Sequence, residues 1–181
     1  MKGSYHNEEF RAAQSAPPSV VYGAVASLEP RTLAVLFEAV SPDDAAELIK
    51  ERRLEVLDLG EDWHALHWML ARRPEVEPAA PLTWAVLGHV FLKQLDRGGG
   101  APGIVQPRDA KLVADALAEL APKTARLRFD REAMDRAGIY PGRWRSNPPR
   151  KPSELLSYLK PLAALYRRAA KAGAGTVGYR Y

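Results

Sequence analysis

Proline limits what this chain can build. Fifteen prolines stand in 181 residues, and each fixes φ and deletes a backbone donor. The result is a chain of short elements rather than a few long ones. Several prolines fall where a helix opens. Pro30, Pro42 and Pro107 each fit the first helical position, where the missing N–H costs nothing. Pro74 ends a helix over Glu61 to Arg72, and Pro161 is expected to break or kink one that Ser153 caps. A helix also follows Ser41-Pro42-Asp43-Asp44, with Leu48 and Ile49 turned inward. Another runs from Pro107 through Leu112, Val113, Ala116, Leu117 and Leu120, and a further single helix covers Lys123 to Arg136. Strands are expected at Val20 to Leu28, at Ile104-Val105 and at Thr176 to Tyr181, and an extended segment at Leu54 to Leu59. Leu82 to Leu95 is apolar enough for either a strand or a helix.

These elements imply an α+β fold, with several helices on a small mixed sheet in a single domain over residues 20–181. Residues 1–19 are polar and end in Pro17-Pro18, which reads as a flexible N-terminal tail. Hydrophobic residues make up 46 % of the chain and charged ones 27 %, an ordinary globular balance. There is no cysteine, which excludes disulfides, thiolate metal sites and a cysteine nucleophile. The longest apolar run, Trp84 to Leu92, is interrupted by Gly88 and His89 and is too short to span a bilayer. Met1-Lys2 leads into no apolar signal segment. A cytoplasmic protein without a membrane partner is therefore expected.

The net charge of +4 hides an asymmetry. Residues 1–121 hold 12 Lys and Arg against 18 Asp and Glu, while residues 122–181 hold 14 against 4. Either the basic end packs against the acidic elements, or it meets an anionic partner.

The most distinctive stretch is Trp63-His64-Ala65-Leu66-His67-Trp68-Met69-Leu70. At helical spacing Trp63, Leu66, His67 and Leu70 share a stripe. His64 and His67 can reach one anion, or one metal if His89 or Asp58 supplies a third ligand. The spacing is not that of zinc proteases, so no metal is expected, and the alternative is a core helix. Gly98, Gly100 and Gly103, like Gly173, Gly175 and Gly178, match a dinucleotide fingerprint only formally. The strand–turn–helix context is missing, so no cofactor is expected. Ile139-Tyr140-Pro141-Gly142-Arg143-Trp144-Arg145 mixes rings and cations. Its two readings are a turn that plugs the core, and a site where Arg143 and Arg145 hold an anion such as a nucleic-acid phosphate.

Taken together, several segments resemble the YfbM-like family, bacterial proteins with a domain of unknown function. They are Gly23 to Leu28, Leu57 to His67, Gln106 to Ala110, Phe129-Asp130 through Met134, Ile139-Tyr140-Pro141 with Trp144, and Tyr166 to Ala170. The resemblance implies a small cytosolic α+β domain and carries no chemistry. The chain departs from it in the segment before Val20 and in the apolar Val90-Phe91-Leu92.

The residues then propose a non-catalytic binding module for a protein partner or a small polar ligand. Its site would lie where the 61–72 helix meets the turn, with Trp63, His64, His67, Tyr140 and Trp144 as ligand-binding candidates. One alternative is a hydrolase-like or metal-dependent enzyme in which Asp62 orients His64 and His67 assists. The other is nucleic-acid binding through the basic third.

Overall fold

The structure, a computed structural model, describes residues 23–32, 55–77, 79–96 and 100–180. The expected tail, Val20 to Tyr22 and the helix after Ser41 lie outside these residues. Five strands form one sheet: β1 (Gly23–Leu28), β2 (Val56–Gly60), β3 (Val90–Phe91), β4 (Gly103–Val105) and β5 (Gly175–Arg180), in the order β2-β1-β5-β4-β3. The expected mixed sheet is sharpened here, because every described pairing is antiparallel.

Residues 30–32 are helical, with Pro30 at the start as its fixed φ favours. The helices described in full are α1 (Trp63–Ala71), α2 (Pro81–Leu87), α3 (Pro107–Glu119), α4 (Pro122–Leu127), α5 (Arg131–Arg136), α6 (Pro152–Leu156) and α7 (Leu159–Ala172). Prolines open α2, α3, α4 and α6. Among the described residues no helix is long and apolar enough to cross a membrane.

Three local expectations are corrected. Lys123 to Arg136 is two helices, because the Asp130 side chain accepts the backbone N–H groups of Glu132 and Ala133 and starts α5 afresh. The break expected at Pro161 lies upstream, at Ser157-Tyr158. Pro161 itself is the third residue of α7, where the backbone N–H has no intrahelical partner to lose. Ser153 is not the cap of α6, since Pro152 is its first residue and Lys151 precedes it. Leu82 to Leu95 resolves into both alternatives, a helix and then the short strand β3.

Strand alternation sorts the core onto two sheet faces. On one, Val25, Leu59 and Val105 meet Trp63, Leu66 and Leu70 of α1, Trp84 of α2, Val113 and Leu117 of α3, and Leu162 and Tyr166 of α7. On the other, Ala26, Leu28, Ile104 and Val177 meet Leu92 and Leu95. The strands allow α2 to come very close. A Cβ at Gly178 would lie 2.0 Å from the Val86 carbonyl oxygen, and one at Gly103 would lie 1.7 Å from that of Leu87. Only glycine permits that approach.

A third cluster lies beyond α1, where Ala65, Trp68 and Met69 pack on Met134, Ile139, Trp144 and Leu155. Helix α1 is thus covered from two sides, which accounts for its apolar residues all round the axis. Two ion pairs join the basic end to the acidic part of the chain, Arg150 with Asp62 and Arg168 with Glu55.

Candidate functional site

Helix α1 opens with Trp63 and His64, and Trp63 borders the central strands β1 and β5. Their rings stack with centroids 4.7 Å apart, and Tyr140 stacks on Trp63 at 6.3 Å. The Tyr140 backbone N–H donates to His64 Nδ1 at 3.1 Å. That bond leaves the proton of neutral His64 on Nε2. Burial, helped by the Arg180 cation, pushes the His64 pKa down to about 4.

The structure therefore unites Trp63, His64 and Tyr140, and it separates the other candidates from them. Trp144 is wholly buried in the third cluster, with its indole N–H donating to the Ile139 carbonyl at 2.7 Å and its backbone N–H to Asp135. His67 is also wholly buried, and among the described residues neither ring nitrogen has a partner in hydrogen-bond geometry. Burial and then His64 hold its pKa down to about 4, against a weaker opposing pull from the Glu75 and Pro74 backbone. Arg143 and Arg145 are exposed. The Arg145 backbone N–H is tied to Asp135.

Asp62 does not serve His64. Its carboxylate accepts from Arg150 Nε at 2.8 and 3.1 Å and from the Tyr158 hydroxyl at 3.2 Å. Hydrogen bonding to Asp62 raises the pKa of Arg150, and burial followed by Asp62 raises that of Tyr158. So Asp62 anchors the 148–151 loop to the start of α1. His89, weighed as a third ligand, instead stacks on Trp84 at 4.3 Å and faces Asp109 at 3.2 Å through Nε2. Asp58 accepts from the Gly60 backbone N–H. Among the described residues no group of three or more His, Asp or Glu side chains is placed to hold a metal ion.

Sequence reasoning missed the residue that completes this group. Arg180, near the end of β5, lies over the Trp63 ring with its guanidinium carbon 5.3 Å from the centroid, a cation–π arrangement. Its hydrogen bond is to the Ala101 carbonyl at 3.4 Å. It forms no ion pair among the described residues. Burial lowers its pKa, and Asp96 partly restores it. A Cβ at Gly100 would fall 1.8 Å from the Arg180 side chain, so the one signal available was that glycine-rich loop.

Arg180, Trp63, Tyr179, Ala24, Leu87 and Ala101 line a shallow cleft of about 230 Å³, counting its open mouth. The enclosed part has room for one water molecule at most. Chemically it offers one cation, aromatic faces and an aliphatic wall, with no nucleophile or acid–base pair.

A family model described as a domain of unknown function (DUF1877) matches residues 9–179. A solved structure described as a protein of unknown function, YfbM from Escherichia coli, is similar with a TM-score of 0.67 and 22% sequence identity. The likeness covers 87% of this chain and 98% of that one. No curated protein matches the chain significantly.

Proposed function

The chain belongs to the DUF1877 family of domains of unknown function, and from the geometry of its own cleft we propose that it is a non-catalytic binding module for a protein partner. One observation carries the reading. A half-buried arginine with no carboxylate partner among the described residues stands over a tryptophan at a solvent-open cleft. Tryptophan, tyrosine and arginine are the residue types that dominate protein–protein hot spots, and Trp63, Tyr179 and Arg180 meet here. The cleft is smaller than the roughly 300–1,000 Å³ of small-molecule pockets, which favours a protein over a small polar ligand. His64 and Tyr140 support the Trp63 ring from behind, so the site moves from the turn to the outer side of α1.

The hydrolase reading draws no support from the placement of Asp62, and nucleic-acid stacking draws none from the buried Trp144. A cytoplasmic setting is part of the same proposal.

The test is affinity capture from host lysate with the tagged chain and with Ala101→Trp, a loop substitution that fills the cleft. A partner should be recovered with the first and lost with the second. Identical recoveries with both would remove the cleft from the binding function.

A further inference from the structure

We infer that the partner presents a single carboxylate, an aspartate or glutamate side chain, to Arg180, held by a short apolar flank against the aliphatic wall of the cleft. This rests on the protein-binding reading of the same cleft and names what the partner must carry.

Charge is the first constraint on the partner. Arg180 is the only cation among the described residues lining the cleft. Its recorded hydrogen bond is a long one, to a neutral carbonyl. A guanidinium keeps its charge under all ordinary conditions, so burial cannot neutralise it. Burial has already removed part of its water, and a carboxylate supplies what that water supplied. The fork of N–H groups matches a planar carboxylate in a two-point pairing, stronger than neutral hydrogen bonds.

The neighbouring groups set an upper limit on the negative charge. Asp96 lies close enough to act on Arg180, and its Oδ1 holds the Gly100 backbone N–H at 3.0 Å. His64 is neutral at physiological pH, and its Nδ1 is engaged by Tyr140. A lone cation in the lining matches one negative charge, and the Asp96 carboxylate nearby opposes a dianion such as a phosphate monoester. The Trp63 face beneath Arg180 holds the guanidinium in place before the partner arrives, which lowers the ordering cost of binding. The accessible part of the remaining wall, Leu87 and Ala101, has no side-chain donor or acceptor, so the residue beside the carboxylate should be aliphatic.

The experiment is to pan random displayed dodecapeptides on the full chain, with Arg180→Gln as counter-target. Selected peptides should share one Asp or Glu beside an aliphatic residue. Their affinity should drop about tenfold or more on Arg180→Gln and less on Arg180→Lys, which keeps the charge but loses the fork. Changing the shared acid to its amide should give a similar loss. Peptides that are lost on Ala101→Trp but indifferent to Arg180→Gln would overturn carboxylate recognition and leave the docking cleft standing. If no peptide is sensitive to either variant, both readings fall. Thermal melts of the variants separate lost binding from lost folding.

Discussion

The two faces of α1 carry the same kinds of residue and end in opposite states. Towards α5 and α6, Trp68 and Trp144 are sealed among Met69, Met134, Ile139 and Leu155, and both indole N–H groups donate to carbonyls, of Arg128 and Ile139. Towards β5, Trp63 lies beneath a cation at an open cleft. Aromatic content alone therefore does not mark a site. What separates the two faces is where they end, in a sealed apolar cluster on one side and beneath a cation at a cleft on the other.

The largest expected effect tests the sealed side. Trp144→Ala deletes a fully buried indole and leaves its carbonyl partner behind. It should cost about 3–5 kcal/mol in urea unfolding, while peptide binding at the cleft persists wherever the protein remains folded. A loss below about 1 kcal/mol would mean that the third cluster is not a packed core.

Acid is the next test. The His64 and His67 pKa values are both lowered to about 4 in the fold, against about 6.5 in an unfolded chain. Between those values the unfolded chain binds protons that the folded one does not. Stability is then full above about pH 6.5 and falls as the pH drops towards 4, by up to about 1.4 kcal/mol per pH unit for each histidine. His67→Leu removes the more buried of the two, so its urea midpoint should fall less steeply over that window. An unchanged slope would mean that His67 is not held neutral.

The smallest effect belongs to the open side. Arg180→Gln should cost no more than about 2 kcal/mol, since among the described residues it breaks no ion pair and loses only one long hydrogen bond and the cation–π contact with Trp63. A loss as large as that of Trp144→Ala would turn the cleft into a structural contact and end the contrast.

Local signals in the sequence were informative where the physics is local. Pro107 marked the start of α3, whereas Pro81, Pro122 and Pro152 open α2, α4 and α6 without having been read as helix starts; the Trp63 to Ala71 helix was plain from its apolar spacing and from Pro74 beyond it. The division of Lys123 to Arg136 was also locally encoded, in Asp130 ahead of Glu132, but a continuous helical pattern masked it. The site was legible only in part. Trp63, His64 and Tyr140 do converge, yet periodicity does not say which of two buried tryptophans borders the cleft, and Trp144 lies in the other cluster. Arg180 was out of reach because it meets Trp63 through the sheet rather than through sequence. No local rule links a residue at the start of α1 to one at the end of β5.

The strand order has a bearing on how the molecule is assembled. The strands β1 and β5 lie side by side inside the sheet, although nearly all of the described chain runs between them. That pairing closes a very large loop, and its entropy cost falls due before most sheet contacts can reward it. The helices on α1's far side can form from nearby residues, whereas the cleft needs both ends of the chain. A chain still lacking β5 has no Arg180 to place over Trp63, so the proposed recognition surface is absent until the sheet has closed.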